Sequence, residues 1–336
     1  MIVWYLFLAG VGAGAYIVAV LMDYLGLKSK LASKIGVALA APLVIVGTLL
    51  LLLDLGQPDK FMLVFNNPVS MITVGSMILS VFMIIGVVHI GLWIWPFKYL
   101  EKATSARRML SILGLIFAFG TAIYTGVLLG VVRAVPFWNN SMVPMLFLIS
   151  AVSTGVAAVV LGLSMYYGRR VGEEQRGILE SVKSLVKADA VLIGAELVAV
   201  FFYLAIASTA GESAYASVQL LTTGALAPLF WGGLIGLGLV VPLVLDAVGV
   251  FTEKTLTPAR LTAISMLTSV LLLAGGLILR ESVVAAGVPV AVWFMAPPFV
   301  YELSLLDYSV ILLFPIALLA IYGVAKAYPA GRKAKP

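Results

Sequence analysis

Polar side chains interrupt the apolar stretch between Tyr124 and Pro144, which reads YTGVLLGVVRAVPFWNNSMVP. Arg133 breaks the hydrocarbon pattern, and Trp138 and Asn139 follow before the next apolar run begins. A bilayer tolerates polar, irregular backbone only where protein or a water-lined cavity shields it. In a chain made largely of apolar runs, this stretch is therefore the first candidate for a site.

Carboxylates form a second group within the sixth apolar run. Asp189, Glu196 and Tyr203 recur every seven residues, so a helix places all three on one stripe. Asp246 enters the next run from the same side. Buried carboxylates are costly in lipid, so they face the bundle interior and often relay protons. The alternative is an interhelical hydrogen-bond lock with serine, threonine or tyrosine, and we expect no basic residue at mid-membrane depth to neutralise Glu196.

Two more polar segments follow apolar runs, LDLGQPDKF at 53–61 and LRES at 279–282. Asp54 and Arg133 would lie at helix ends near one membrane face, where they could pair or bind the polar head of a ligand. The alternative is that both are ordinary interfacial charges that extend toward water. Three irregular segments at one face favour a site.

The composition places the chain in a membrane and limits its chemistry. Hydrophobic residues make up 62% of the chain and charged residues 11%, and apolar runs of about 20 residues recur, as in polytopic membrane proteins. The basic residues are spread over loops, which argues against nucleic-acid binding. With no cysteine and one histidine, His89, the chain can hold neither an iron–sulfur cluster nor a two-His haem. A redox role would need a diffusible cofactor or a partner's metal centre.

Hydropathy predicts an all-α membrane protein with about nine transmembrane helices. The run that begins at Met1 has no basic segment before it, so we expect a retained first helix and not a cleaved signal peptide. His89 in the third span and the GVGAG run at 10–14 in the first are expected to serve packing. The predicted spans are 3–25, 35–55, 70–95, 108–132, 141–167, 186–209, 225–250, 260–280 and 306–328.

Lysine and arginine are distributed unevenly between the two sides of the predicted bundle. Eighteen fall in the loops and tail of one side, and three, Lys60, Arg133 and Arg280, fall on the other. Positively charged loops remain in the cytoplasm. We therefore expect a multi-pass protein of the cell membrane with its N-terminus outside and its C-terminus in the cytoplasm.

A weak internal repeat suggests two four-helix bundles plus one extra C-terminal helix. LFLAGVGAGAY in the first span is similar to LFLISAVSTGVA in the fifth, although apolar helices also resemble one another by chance. The corresponding domains would be a first bundle at 1–132, a second at 141–280, and an outer loop, ninth helix and basic tail at 281–336.

Taken together, the motifs resemble the NrfD/PsrC family of polysulfide-reductase-type membrane subunits. In order, they are LDLGQPDKF followed by SMITVGSMIL, the Tyr124–Pro144 stretch with MLFLISAVSTGVA, the Asp-x6-Glu-x6-Tyr stripe and LAGGLILRESVVAAG. The resemblance covers about residues 1–290. It implies a quinone-reactive membrane anchor whose fold is two four-helix bundles.

The resemblance also implies a cofactor and a site. A menaquinone or ubiquinone pocket would lie beside the first span, where Tyr5 and Tyr124 hold the ligand and Asp54 exchanges its proton. Tyr5 stands where the family has a histidine, and a tyrosine can donate the same hydrogen bond but does not readily accept a proton at neutral pH. The pocket and the surface beside it would be completed by Arg133, Trp138 and Asn139.

The partners implied by the resemblance lie on the extracytoplasmic side. One is an iron–sulfur subunit of the four-cluster ferredoxin type, docked over Trp138, Asn139 and the 53–61 loop. The other is a catalytic subunit, often molybdopterin-dependent, which acts on the terminal substrate. This chain would then be the quinol-oxidising or quinone-reducing subunit of a multi-subunit oxidoreductase in electron transport.

The carboxylates leave the function of the second bundle open. Asp189, Glu196 and Asp246, with Asp23 at the cytoplasmic end of the first span, would form a proton path in such a complex. The same groups would suit an ion-coupled secondary transporter, but the polar motifs gather at one face and no span shows a Gly/Pro break near its centre. A purely structural anchor without a quinone site is the third alternative.

Overall fold

Eight stretches of helix among the described residues are long and apolar enough to cross a membrane. The computed structural model describes residues 1–24, 30–55, 57–93, 104–167, 172–251 and 257–293, with the main chain alone at 104 and 289–293. Within these ranges the chain is helical and contains no strand, which confirms the predicted all-α membrane fold. The predicted ninth span at 306–328 and the basic tail lie outside the described residues.

The first eight predicted spans each have a counterpart in the structure. The π-helix and α8 together form one of them, Pro228–Phe251, whereas α7 is too short to cross a bilayer. In chain order the elements are α1 (Ile2–Tyr24), α2 (Lys30–Leu53), a 3-10 helix (Pro58–Phe65), α3 (Met71–Trp93), α4 (Thr104–Gly130), α5 (Met142–Tyr167), α6 (Glu173–Thr209), α7 (Glu212–Thr222), a π-helix (Pro228–Val240), α8 (Val241–Phe251) and α9 (Pro258–Trp293).

Helices α1 and α5 lie at the centre of the described bundle. α1 packs against α2, α4 and α5, and α5 packs in addition against α4, α6 and α9. Contacts of α3 with α2 and α4 complete a first group, and contacts of α8 and the π-helix with α6 and α9 complete a second. This grouping has the order that a repeat would give, while the domain boundaries stated above remain predictions.

The GVGAG run of α1 lets neighbouring helices come close to its backbone. A Cβ atom at Gly12 would lie 2.8 Å from the carbonyl oxygen of Ala40 on α2. A Cβ atom at Gly14 would overlap the carbonyl oxygen of Ala151 on α5. Gly10, the third glycine, faces a side chain of α9 that is described below. The expectation that this run serves packing is confirmed for Gly12 and Gly14.

Two predicted boundaries were wrong because charged residues were taken to end a helix. α6 begins at Glu173 and not near 186, since Ile178 and Val182 continue its buried stripe through the charged segment. α9 continues to Trp293, so the LRES segment at 279–282 lies inside a helix. A helix can pass charged residues wherever one of its faces remains packed against protein.

The seventh span changes pitch near its centre. Residues Pro228–Val240 are π-helical, and α8 follows from Val241. The N–H of Val241 donates to the carbonyl oxygen of Gly236, and Pro242 has no N–H for the next bond. The span nevertheless stays helical from Pro228 to Phe251, which agrees with the expectation that no span is interrupted by a Gly/Pro break near its centre.

Replacing Gly14 by alanine should lower the midpoint temperature of thermal unfolding in detergent. The added Cβ would overlap the Ala151 carbonyl oxygen, and overpacking of this kind costs about 1–3 kcal/mol. Gly194→Ala on α6 is the matched control, because its Cβ would meet no described atom within 4 Å and alanine favours a helix by about 1 kcal/mol over glycine. Scanning fluorimetry on both variants makes the comparison, and an unchanged midpoint for Gly14→Ala would contradict the close crossing.

Candidate functional site

The segment between α4 and α5 closes one end of the bundle. The Tyr203 hydroxyl of α6 donates to the carbonyl oxygen of Phe137 at 2.9 Å. The indole N–H of Trp138 donates to the carbonyl oxygen of Val283 on α9 at 2.7 Å. These bonds fix the segment, residues 131–141, to the second group of helices. The end of the bundle that it covers is called the loop face below.

Polar side chains of this segment mainly support its own fold. The Asn139 amide donates to the carbonyl oxygen of Gly130 at the end of α4. The Asn140 side-chain oxygen accepts from the N–H of Met142 at 2.9 Å, as a residue before a helix commonly does. Trp138 is half-buried and Asn139 is exposed. Their part in ligand or partner binding remains a prediction.

Tyr5 of α1 and Tyr124 of α4 come together inside the first group of helices. Tyr5 is fully buried and Tyr124 nearly so, and the two phenols lie within electrostatic reach of each other. The Tyr5 hydroxyl has no hydrogen-bond partner among the described residues. The Tyr124 ring lies against Gly75 of α3, where any side chain would collide with it.

This pair of phenols can donate hydrogen bonds to an oxygen atom of a ligand. A buried polar group without a partner costs about 1–3 kcal/mol. A ligand oxygen that accepts a hydrogen bond from the Tyr5 hydroxyl would remove this cost. Thr121, one turn inward of Tyr124, is a second buried hydroxyl with no described partner. Sequence reasoning did not single out Thr121 or Gly75, although Gly75 belongs to the quoted SMITVGSMIL motif.

Asp54 and Arg133 do not form the pair considered from the sequence. Asp54 follows α2 directly, where its N–H donates to the carbonyl oxygen of Leu50 at 3.2 Å, and its side chain is exposed. Arg133 is also exposed, in the turn after α4. Neither side chain has an ion-pair partner in the described ranges. Asp54 therefore occupies an open position, from which a carboxylate can exchange protons with water.

The predicted stripe on α6 is buried at Asp189, Glu196 and Tyr203. The Ser153 hydroxyl of α5 donates to Asp189 at 3.2 Å. Ser150, one turn away on α5, interacts with Glu196 through a side-chain hydrogen bond. The contacts expected of an interhelical lock are thus present, and a proton relay would use the same groups.

A buried arginine lies within electrostatic reach of Glu196, contrary to the expectation from the sequence. Arg280 of α9 is the largest fully buried side chain in the described part of the chain. Its Nε donates to the carbonyl oxygen of Leu6 on α1, and its Nη1 to the Ser150 hydroxyl, both at 3.1 Å. Its charge interacts with that of Glu196. The interpretation of Arg280 as an outer-loop charge was wrong because α9 does not end at this point.

Two glycines and two aromatic rings surround the guanidinium. A Cβ atom at Gly10 of α1 would lie 2.6 Å from Nη2. Nη1 also donates to the carbonyl oxygen of Gly276, one turn before Arg280, at 2.6 Å. The rings of Phe7 and Phe147 lie 5.8 and 5.4 Å from the guanidinium carbon, within cation–π range. The glycine one turn before the arginine in LAGGLILR was the only signal in the sequence.

Asp246 joins the buried carboxylates, whereas Asp23 lies elsewhere. Asp246 of α8 is buried beside Thr268 of α9 and interacts electrostatically with Asp189. Asp23, near the end of α1, forms an ion pair with Arg107 of α4 at 3.5 Å. The structure thus brings together three of the four residues predicted for the proton path.

His89 belongs to an aromatic cluster next to this ion pair. Its Nδ1 lies 2.8 Å from the Tyr16 hydroxyl, and its ring stacks on Trp93 with centroids 5.4 Å apart. The guanidinium carbon of Arg107 lies over the Trp93 ring, 4.8 Å from the ring centroid. These contacts match the packing role expected of His89. Among the described residues, no group of three or more His, Asp or Glu side chains is placed to hold a metal ion.

Comparison with known proteins identifies relatives over most of the chain. A family model described as "Polysulphide reductase, NrfD" matches residues 1–291. A polysulfide reductase chain from Wolinella succinogenes is 33% identical over 304 residues, which cover 84% of this chain and 92% of that protein. Protein NrfD of Escherichia coli is 26% identical over 81% of this chain and 93% of its own length. A selenate reductase subunit from Mesobacillus selenatarsenatis is 24% identical over 50% of this chain and 47% of its own length.

Arg280→Met should lower stability more than the double variant Arg280→Met/Glu196→Gln. The single variant leaves Glu196 without the positive charge that interacts with it, and leaving a buried polar group without its partner costs about 1–3 kcal/mol, more for a charged one. Removing both charges should recover most of that loss. Thermal midpoints of the two single variants and the double variant give the coupling energy, and strictly additive losses would show that the two side chains do not interact.

Proposed function

Since this chain belongs to the polysulphide reductase NrfD family, we propose that it exchanges electrons between a membrane quinone or quinol and an iron–sulfur partner. It would do so as the multi-pass membrane subunit of a reductase complex. Two relatives carry names of such complexes, one as a chain of polysulfide reductase and the other as a subunit of selenate reductase. The chain has no cysteine, so electrons would leave it for a centre held by another subunit.

The observation that carries this proposal is the buried tyrosine pair. The Tyr5 hydroxyl lacks an acceptor among the described residues, and Tyr124 lies within its electrostatic reach. A quinone supplies two carbonyl oxygens and, when bound, two-electron, two-proton chemistry. Tyr5 and Tyr124 would donate hydrogen bonds to these oxygens and so fix the ring, while Gly75 leaves the space that the Tyr124 ring requires.

Proton exchange at this site is assigned to Asp54. Phenols are poor proton acceptors at neutral pH, whereas a carboxylate at an exposed position can pass a proton to water. Asp54 has such a position at the end of α2. In quinol oxidation it would take up a released proton, and in the reverse direction it would deliver one.

The electron-accepting partner is proposed to dock on the loop face, which would be extracytoplasmic. This orientation follows from the excess of lysine and arginine predicted on the opposite side. The docking surface would include Trp138, Asn139 and the 53–61 segment, next to Arg133. The 3-10 helix in this region exposes Met62 and Leu63, which a docked subunit would cover. The partner would be of the four-cluster ferredoxin type, linked to a molybdopterin-dependent catalytic subunit.

Asp54→Asn and Tyr124→Phe should both impair quinone turnover and leave the assembled complex intact. Loss of a proton-exchanging carboxylate lowers rates by about 100-fold or more. Loss of one hydrogen bond to the ligand costs about 0.5–1.5 kcal/mol, or roughly a two- to twelvefold effect. Quinol oxidation with an artificial acceptor, measured on complexes of verified subunit composition, gives both values.

Matched controls for these variants are Glu173→Gln and Tyr215→Phe, which change exposed residues outside the proposed pocket and the proposed docking surface. Both controls should turn over quinol at the rate of the unaltered complex. The site assignment would be overturned if both single variants, Asp54→Asn and Tyr124→Phe, kept full activity.

A second part of the proposal is a proton path through the second group of helices. Asp189, Glu196 and Asp246 would carry protons to or from the cytoplasm, supported by their burial and their hydroxyl partners. Asp23 is paired with Arg107 in the first group of helices, so it is left out of this path.

Glu196→Gln should lower the number of protons moved per quinol oxidised, because the amide cannot release a proton. The measurement is the ratio of vesicle pH change to quinol consumed, in liposomes that contain the whole complex. Glu212→Gln, at an exposed position in the first turn of α7, should leave the ratio unchanged. An unaltered ratio in Glu196→Gln would count against the path.

The ion-coupled transporter remains the second candidate because of the pitch change in the seventh span. Transporters use discontinuous helices at their substrate sites. The seventh span remains helical, but its change of pitch at Val241 lies close to the buried carboxyl group of Asp246. Co-purification separates the candidates. Bound quinone with an iron–sulfur partner supports the redox function, solute uptake by the isolated chain supports transport, and a partner without quinone supports a structural anchor.

A further inference from the structure

We propose that Arg280 is a fixed positive barrier that closes the buried carboxylates off from the loop face, so that they exchange protons with the cytoplasmic side alone. This inference rests on the proposed proton path through Asp189 and Glu196. It does not depend on the tyrosine pair.

The guanidinium lies where α1, α5 and α9 meet. It donates to Leu6 on α1, to Ser150 on α5 and to Gly276 on its own helix. The remaining nitrogen, Nη2, faces Gly10 and has no partner in the described part of the chain. Gly10 and Ser150 occupy matching positions in the similar LFLAGVG and LFLISAV sequences. The charge is therefore held between equivalent turns of the two central helices.

Buried polar groups continue from this level toward the opposite face. Asp189 follows with its partner Ser153, and Asp246 lies beyond, within electrostatic reach of Asp189. Asp246 lies beside the Thr268 hydroxyl, which interacts with it, and its Oδ2 has no other described partner, so it can bind water. The part of α9 that lies away from the loop face adds a row of buried hydroxyl side chains, Thr262, Ser265, Thr268 and Ser269. This side of the arginine is thus rich in buried carboxyl and hydroxyl groups.

The side toward the loop face is closed mainly by aromatic residues. Phe7 and Phe147 flank the guanidinium itself. Further outward, the rings of Phe137 and Tyr203 pack with centroids 5.1 Å apart, and the Tyr203 hydroxyl is used in a bond to the backbone. The next buried polar side chain outward on α9 is Ser282. The arginine therefore stands between a side rich in buried carboxyl and hydroxyl groups and a side, toward the loop face, where aromatic rings predominate.

A fixed cation at such a boundary opposes the passage of protons. Charges interact far more strongly in a protein interior than in water, and arginine residues lining membrane pores exclude protons and cations for this reason. Arginine stays protonated at neutral pH, so the barrier does not disappear during turnover. Lysine would keep the charge, whereas glutamine would remove it and leave hydrogen-bonding groups in its place.

Passive proton leak in liposomes tests the barrier without any turnover. Purified full-length protein is reconstituted in neutral phospholipid vesicles that contain a pH-sensitive dye, and a potassium gradient with valinomycin sets the membrane potential. Arg280→Gln should admit protons about tenfold faster than the unaltered chain, the change expected for a barrier lower by roughly 1.4 kcal/mol. Arg280→Lys keeps the charge without the bonds that hold it to Leu6 and Ser150, so its leak should lie clearly between those of the unaltered chain and Arg280→Gln. Adding Asp189→Asn to Arg280→Gln should abolish the leak.

Three results would overturn the barrier. The first is a folded Arg280→Gln variant that leaks protons no faster than the unaltered chain. The second is the same leak rate in Arg280→Gln and Arg280→Lys. The third is a leak in Arg280→Gln that persists after Asp189→Asn is added. The proton path itself is judged separately by the turnover ratio of Glu196→Gln, so failure of one proposal is distinguishable from failure of the other.

Gly10→Ala decides the question if Arg280→Gln does not fold. Its Cβ would lie 2.6 Å from Nη2, so it displaces the guanidinium without changing any charge. A leak several times that of the unaltered chain supports the barrier, and an unchanged rate overturns it. Gly194→Ala, whose Cβ meets no described atom within 4 Å, is the control for a glycine-to-alanine change in a span.

Discussion

The close crossing of α1 and α5 determines where the polar side chains of this protein lie. Gly14 and Gly155 face each other at the crossing, with no room for a Cβ atom on either. Lipid cannot solvate polar groups, so each one must find its partner between helices. The crossing holds the Gly10 and Ser150 turns at the distance that admits one guanidinium. A wider separation of these two helices would leave Arg280 and Glu196 without their contacts.

α1 contributes to two different sites on two of its faces. The Tyr5 side chain faces Tyr124 in the first group of helices, while the carbonyl oxygen of the next residue, Leu6, accepts from Arg280 in the second. Consecutive residues of one helix point about 100° apart, which explains how adjacent positions reach separate groups. The tyrosine pair and the buried charges are therefore both in contact with the same turn of α1.

Buried charges are poor evidence for stability, because desolvation offsets most of the attraction between them. Arg280 is surrounded by hydroxyl, carbonyl and aromatic partners, and Ser150 also interacts with Glu196. Apolar side chains of similar volume could fill the same space without needing such partners. Ionisable residues within membrane spans most often mark ion or proton pathways. This general tendency, together with the buried hydroxyl groups of α9, indicates that Arg280 and Glu196 serve function more than stability.

The sequence by itself determined the class of fold, the spans that the structure describes and the family, because hydrophobicity over 20 residues and linear motifs need no partner. The Asp189–Glu196–Tyr203 stripe was equally accessible, since its spacing depends only on the helical repeat. Only the tertiary structure decided where Arg280 belongs and that Asp54 and Arg133 do not pair. It also showed that Thr121 is buried and that Asp23 stands apart from the other carboxylates. Each of these depends on which helices are neighbours and on whether a helix continues past a charge. Contacts with distant residues decide both, and local sequence does not contain them.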